Sequence, residues 1–323
     1  MTTQFHDHIE QGTTEWHAMR NTRIAASDIP VLMARQTVSL NDIPSFVHFE
    51  SIEGNQVTLQ DHPFRTIGSL WREKKLGVLE VHSDYAMAMF EHGHEQEEAI
   101  IQEISDELFV KLRPLVATKD DWMMASLDGV STDRKIGGEG KAPVLRFVDG
   151  EKVFSNSLKL ALEGKIPDYY WTQVQWQIAV TGIERIYFGV RNPVDGKLIG
   201  PFEILPNEEF IEQMKVVARN YADQFFTDVE DWEVYNQIAT EYARMNDQIK
   251  AIESKMAPLK ESLIDFSKKQ PVAQVHFQRL YVAKNKGRST TDYKSFVETL
   301  SVSEEQIAPF KNVGEDSFTV RTR

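Results

Sequence analysis

Ala125–Pro143 reads ASLDGVSTDRKIGGEGKAP, a short apolar run, then an aspartate beside a glycine, a turn-rich stretch, and Glu-Gly-Lys before a proline. The run ending at Asp128 has strand character and stops at Gly129, so Asp128 is expected at a strand end. Glu139 and Lys141 are two residues apart on a second predicted strand, which places both side chains on one face. If the two strands are neighbours, an aspartate, a glutamate and a lysine meet. Two hard carboxylates side by side suit Mg²⁺ or Mn²⁺, with water and substrate oxygens completing the shell. A lysine beside them can orient or help deprotonate water, or neutralise charge growing on a phosphate. The spacing of the three is D-x(10)-E-x-K. Taken alone it also fits an exposed charged pair on a Gly-rich hairpin, because E-x-K is common.

The rest of the chain sets the frame around this stretch. It has 323 residues, 41% hydrophobic and 26% charged, and no cysteine. That length implies one large domain with an appendage, or two domains. Without cysteine, disulfides, thiolate zinc sites and Cys-ligated iron–sulfur clusters are excluded. No apolar run is long enough for a bilayer, and MTTQFHDHIE has no signal-peptide character, so a cytoplasmic protein is expected. The net charge of -13 argues against nonspecific nucleic-acid binding, although a local basic channel can sit in an acidic protein.

Periodicity gives the order of elements. Ser27-Asp28 is expected to cap a short helix. FVHFESI and NQVTL pair through Glu53-Gly54-Asn55 as a hairpin. Helices follow over 66–76 and from Ser83-Asp84 through the GHEQEEA segment. Three strand-sized pieces come next, LFVKLRPLVAT, WMMASLDGVST and EGKAPVLRF, then helices at 155–164 and 168–181. ERIYFGVRNPVDGKLIGPFEIL reads as a hairpin turning at Asp195-Gly196. This is a mixed α/β core over 1–206. Residues 207–323 form a mostly helical extension. In it Tyr235, Ile238, Tyr242, Met245, Ile249, Ile252, Met256, Leu259, Leu263 and Phe266 make a heptad seam, which Pro258 is expected to kink or restart. The seam suits an arm packed on its own domain or a partner subunit, or a docking surface. The tail reads as a strand, a basic turn with Lys284, Lys286 and Arg288, and a short helix.

Three further segments stand in a fixed order around the Asp-Glu-Lys stretch, EQGTTEWHAMR…AAS (Glu10–Ser27), GHEQEEA (Gly93–Ala99) and YWTQVQWQIAVTG (Tyr170–Gly182), and they join the SLDG…EGKAP block itself. Together they resemble the phage lambda exonuclease and YqaJ-type viral recombinase family, over about residues 10–200. The resemblance implies a restriction-endonuclease-like PD-(D/E)xK core, a central mixed sheet flanked by helices. It implies a metal-dependent exonuclease that works 5′-to-3′ on double-stranded DNA ends, in a bacterial host cell, and leaves 3′ overhangs. It also implies a homo-oligomeric ring trimer and a single-strand annealing partner. Carried onto this sequence, Asp128 and Glu139 match the metal-binding acids, Lys141 the catalytic lysine, and Glu97 the helix glutamate near two Mg²⁺ or Mn²⁺ ions. Gln173 and Tyr170 match polar positions of the later helix; Arg20 matches the arginine for the 5′-phosphate, and Ser27 the serine seven residues on.

Some positions depart from the family pattern. Leu127 replaces a proline, and Gly140 and Ala142 replace bulkier residues, changes expected to loosen the backbone around Lys141. The alanine of GHEQEEA comes one residue early, which keeps Glu95 and Glu98 beside Glu97 as candidates. His92 and His94 are read as surface residues, since two apart on a helix they face different ways. Trp16 is read as packing. Trp71–Lys75 reads equally as a channel lining or a solvated face. An endonuclease on the same core, and a non-catalytic DNA-binding or assembly protein, are the competing functions.

Overall fold

The structure is a computed structural model, and it describes residues 2–77, 84–144, 146–148, 151–226, 232–272, 274–278 and 281–283. In chain order the elements are β1 (Thr3–His6), α1 (Thr14–Asn21), β2 (Ile24–Ala25), α2 (Ile29–Leu32), β3 (Thr37–Ser39), β4 (Val47–His48), β5 (Ser51–Glu53), β6 (Gln56–Thr58), α3 (Ile67–Leu76) and α4 (Asp84–Leu108). Then come β7 (Leu112–Lys119), β8 (Met123–Ser131), β9 (Ile136–Lys141), β10 (Arg146–Val148), β11 (Glu151–Val153), α5 (Asn156–Leu162), β12 (Ile166–Pro167) and α6 (Asp168–Thr181). The chain continues with β13 (Arg185–Arg191), β14 (Leu198–Ile204), α7 (Glu208–Phe226), α8 (Trp232–Lys268), β15 (Gln274–His276) and β16 (Tyr281–Ala283).

The central sheet runs β1-β7-β8-β9-β13-β14, with β2 added alongside β8. It is mixed: β9 and β13 are parallel, as are β2 and β8, and the other neighbours are antiparallel. This is the α/β architecture expected, a mixed sheet flanked by helices. Alternation along β9 fixes the two faces. Gly138 and Gly140 turn toward α4, where an added Cβ would meet Ile101 and Ile100 at 3.0 Å. Glu139, between them, turns to the other face and bonds α6. Gly140 therefore does not loosen the backbone as expected; its missing side chain lets α4 lie close on β9.

Helix α6 is buried nearly all round, so the amide N–H groups of its buried Gln175 and Gln177 find their partners inside the protein. Trp171 stacks on Phe210 of α7 at 4.4 Å, and Trp176 meets Trp122 edge-on at 5.7 Å. Several local expectations hold in form. The β5–β6 hairpin pairs Glu53 with Gln56 across Gly54-Asn55, and β13 pairs β14 around Asp195-Gly196. Helix α3 starts with a capping box between Thr66 and Ser69.

Three expectations differ. Asp28 makes no side-chain cap on α2, because its carboxylate is taken by cations described below. Helix α8 runs through Pro258 without stopping; the carbonyl that loses its N–H partner lies on an exposed stretch, open to solvent. The chain divides at Val229/Glu230, not at 206/207, because α7 buries Phe210, Ile211, Met214 and Phe225 in the core of the first unit. Of the tail, β15 pairs β16, while Lys284, Lys286, Arg288 and the expected last helix lie outside the described residues. Among the described residues no helix is long and apolar enough to cross a membrane.

Candidate active site

Strands β8 and β9 pair through Gly129–Gly138 and Val130–Gly137. The ladder goes no further, and the candidate site occupies the place where the strands part. Asp128 lies within β8, three residues before its last, not at the strand end expected. Its Oδ2 accepts the Gly140 N–H at 2.9 Å, so a side chain satisfies a backbone donor beyond the ladder.

The carboxylate of Glu139 is buried and accepts three hydrogen bonds, which leaves Oε2 with acceptor capacity to spare. Oε1 accepts from Lys141 Nζ at 2.6 Å and from Gln173 Nε2 at 2.7 Å. Oε2 accepts from Gln177 Nε2 at 2.7 Å. The same Gln177 nitrogen donates to the Ser126 carbonyl on β8 at 3.0 Å, so α6 ties both strands together. Gln177 was not singled out from sequence. The signal was available: it stands four residues after Gln173, hence on the same helix face. Tyr170, three before Gln173, completes the stripe. It packs on Phe188 at 5.4 Å, and burial raises its hydroxyl pKa while the nearby Lys141 charge lowers it.

The charges of the cluster act on one another. Burial pushes the Asp128 carboxyl well above the usual carboxylate range; Glu139 and Glu97 push it further, and Lys141 and the Gly140 N–H pull against them. Burial works to lower Lys141, but Glu139, Asp128 and Glu97 outweigh it and hold the group as an ammonium. Thus Glu97 of α4 lies within electrostatic reach of both Asp128 and Lys141. Glu95 and Glu98 are exposed, whereas Glu97 is half-buried. A cavity of about 470 Å³ is lined by Glu10, Glu97, Glu98 and Asp128 among others.

This donor set fits a hard divalent cation. Burial and the neighbouring acids favour the protonated form of Asp128, and a cation there would favour the carboxylate instead. Among the described residues no group of three His, Cys, Asp or Glu side chains is close enough to hold an ion alone. The shell would need water or substrate oxygens, as Mg²⁺ ordinarily does. His92 is half-buried beside Gln96 and Arg191, and the His94 side chain lies outside the described residues.

A second cluster is built by α1, α2 and α3. Arg20 donates to Asp28 Oδ1 at 2.8 Å, to Ser27 Oγ at 3.3 Å, and to Glu73. Arg65 joins Asp28 Oδ1 at 3.0 Å and Glu73. Lys74 Nζ meets Asp28 Oδ2 at 2.8 Å and the Arg20 and Arg23 carbonyls. Three cations thus face two carboxylates, with Ser27 exposed at the side. Burial disfavours the Asp28 carboxylate, yet Arg20, Lys74 and Arg65 together hold its pKa far below the usual range. Sequence reasoning placed Arg20 and Ser27 here but missed Arg65, Asp28 and Glu73. Of the Trp71–Lys75 segment, Lys74 is buried in this cluster, neither lining a channel nor solvated. Trp16 links the two clusters: its indole N–H donates to Ser126 Oγ at 2.8 Å, and the Arg20 guanidinium lies 5.6 Å from its ring.

Residues 54–184 match the family model of the YqaJ-like viral recombinase domain. The match spans less than half of the chain and is a likeness to that family. It contains Glu97, Asp128, Glu139, Lys141, Tyr170, Gln173 and Gln177, while Arg20 and Ser27 precede it. No curated protein sequence matches the chain. Solved structures similar to it include an alkaline exonuclease, LHK-Exo, from Laribacter hongkongensis, at 16% identity and a TM-score of 0.42, covering 76% of this chain and 100% of that one. The same exonuclease in complex with dAMP gives 17% and 0.41, over 76% and 100%. A phage-related exonuclease from Haemophilus somnus 129PT gives 12% and 0.38, over 62% and 94%.

Proposed function

We propose that the chain is a metal-dependent deoxyribonuclease of phage-type recombination, an exonuclease that digests one strand of duplex DNA from its 5′ end and leaves a 3′ overhang. The observation that carries this reading is the buried Glu139 carboxylate, shared by Lys141, Gln173 and Gln177 beside Asp128, within a YqaJ-like domain. Folding alone gives little return for two carboxylates and an ammonium in one buried place.

In this reading Asp128 and Glu139 would hold Mg²⁺ or Mn²⁺, and a second ion would draw on Glu97. A bound ion supplies Lewis acidity toward a phosphate oxygen and makes water a better nucleophile. Lys141, kept as an ammonium, serves as a fixed positive charge against the phosphate being cleaved and not as a base. Gln173 and Gln177 keep Glu139 in one orientation. On the family resemblance the terminal 5′-phosphate is assigned to Arg20, whose two terminal nitrogens are held by Glu73, Ser27 and Asp28 and would exchange one of these partners for it, with the Ser27 hydroxyl alongside and Tyr170 at the other end of the site. A ring trimer and a partner that anneals single strands belong to the same proposal, on the family resemblance alone.

The test uses 5′-phosphorylated linear duplex labelled at either end, with and without Mg²⁺, and covalently closed circles as control. Loss of label from the 5′ end, dependent on Mg²⁺, with circles intact, is expected. Asp128→Ala and Lys141→Ala should abolish digestion while the protein stays folded. Cutting of closed circles, or full activity in either variant, overturns the reading.

A further inference from the structure

Helix α8 spans Trp232–Lys268, about 55 Å of helix. Its apolar positions fall three and four apart without a break from Tyr235 to Phe266, and those from Tyr235 to Leu259 are 49–66% exposed. Single exposed apolar residues are ordinary, but a continuous stripe of this length marks a contact surface. A strict seven-residue repeat keeps such a stripe facing one partner helix over its whole length. Pro258 falls two residues past the core position Met256, on the outer side of the helix, so the stripe passes it undisturbed.

We propose that this stripe forms an antiparallel two-helix coiled coil with α8 of a second copy of the chain. Shape and charge select both the partner and the direction. In a parallel pair each core residue meets itself, so Tyr235 and Tyr242 would each face their own ring. Lys255 would then flank Lys260 of the other copy, and no pair of opposite charges would compensate. Turning one helix round, about a centre near residue 247, brings Tyr242 against Ile252, Met245 against Ile249, and Tyr235 against Leu259. Each layer then joins unlike shapes. The flanks place Glu241 opposite Lys255 twice, by symmetry, and Gln248 opposite Gln248. The present partner of Glu241 is Arg244, three residues on, an exposed pair of the weak kind that assembly can exchange. The flanks carry as many acids as bases in Glu241, Glu253, Lys255 and Lys260, so a phosphate backbone finds no net charge there.

The absence of cysteine makes a direct test simple. Full-length Gln248→Cys should form an interchain disulfide on mild oxidation, and Tyr235→Cys should not, because the two Tyr235 positions lie at opposite ends of an antiparallel pair. Ile252→Asp, at an exposed position, should leave the melting temperature unchanged, abolish the Gln248→Cys cross-link and weaken self-association in sedimentation by at least about tenfold. Glu241→Lys should weaken it as well, and adding Lys255→Glu should restore it. Cross-linking through Tyr235→Cys in preference to Gln248→Cys overturns the antiparallel arrangement. Failure of Gln248→Cys to cross-link, or assembly indifferent to Ile252→Asp, overturns self-pairing and assigns the stripe to a partner of different sequence. None of these readouts depends on nuclease activity, and because a two-fold pair cannot close inside a three-fold ring, pairing through α8 would join one ring to another and be lost in Ile252→Asp with the ring itself kept.

Discussion

Gln177 Nε2 lies 2.7 Å from Glu139 Oε2 and 3.0 Å from the Ser126 carbonyl, so one buried amide fixes a carboxylate of β9 to the backbone of β8 where the two strands part. Its own Oε1 is buried and has no hydrogen-bond partner. A buried acceptor left open costs free energy, and the gain that offsets it is the orientation of Glu139. Gln177→Leu removes both bonds with little change in volume. The expected result is a loss of DNA digestion of about a hundredfold, from misplacement of one carboxylate, with a stability loss of about 1–3 kcal/mol. Gln177→Glu sets two carboxylates against each other and should do worse. Digestion rates measured beside thermal melts separate the two effects; a Gln177→Leu protein with full activity would show that Glu139 keeps its place without the amide.

The Arg20 cluster makes a prediction about stability. Asp28 is fully buried and is met by Arg20, Arg65 and Lys74. Asp28→Ala leaves three cations with Glu73 alone, and the expected cost is about 3–5 kcal/mol, the usual result of breaking a buried ion network from one side. Because the Asp28 pKa is depressed, its stabilising part is fully present above the ordinary carboxylate range and is lost only as strong acid protonates the folded protein. Urea titrations at neutral pH would measure the cost, and a loss under 1 kcal/mol would mean that water reaches the cations and compensates.

These two clusters show how far the sequence was readable. Glu139 and Lys141 were legible because strand alternation sends residues two apart to one face, a rule that needs no tertiary knowledge, whereas Asp128 was read as a strand end and lies within β8. Gln173 and Glu97 were reached through resemblance. Gln177 and Arg65 were not found, since their roles come from long-range packing: Gln177 bonds a strand 51 residues away, and Arg65 reaches Asp28 across 37. Asp28 was read as a helix cap because local rules see only neighbours in the chain. Gly140 was read as loosening because composition does not reveal that Ile100 lies over it. The break at 206/207 was drawn where the helical pattern begins, but which helix buries its face in the first core is decided by side chains such as Phe210.

Gly140 gives the third prediction. A Cβ there would lie 3.0 Å from Ile100 Cγ2 and 3.2 Å from its Cβ, and a Cβ cannot swing aside as a side-chain tip can. Gly140→Ala must therefore move α4 by a few tenths of an ångström, at an expected cost of about 1–3 kcal/mol. The same shift displaces Glu97, three residues before Ile100, relative to Asp128. Gly140→Ala should thus lose more activity than its stability loss accounts for, and Ile100→Ala, which removes the Cγ2 in the way, should cost less stability in the Gly140→Ala background than in the parent chain. Melting temperatures and digestion rates of the single and double variants check this; additive losses in the double variant would place the strain elsewhere.

Asp168, at the start of α6, predicts a pH dependence. It is buried, its Oδ2 accepts the Gln60 N–H at 2.8 Å, and its Oδ1 has no partner. Burial raises its pKa to about 7, against the pull of the backbone N–H groups of Gln60 and Tyr169. The folded protein therefore keeps this proton up to about pH 7, while the unfolded chain releases it in the ordinary carboxylate range. Between those limits unfolding releases a proton, so stability falls as pH rises through the window, and above it the whole penalty applies. The penalty is at most roughly 4 kcal/mol, from a shift of about three units. Asp168→Asn keeps an acceptor for Gln60 but does not ionise. Its buried amide N–H groups take the place of Oδ1 without a partner, which lowers its absolute stability; the slope is the informative quantity. Urea unfolding from about pH 5 to about pH 8 should show a stability decline in the parent chain that is flattened in Asp168→Asn. Parallel curves for the two proteins would mean that Asp168 is already ionised at the lower pH, and that its carboxylate finds in solution the partner its Oδ1 lacks here.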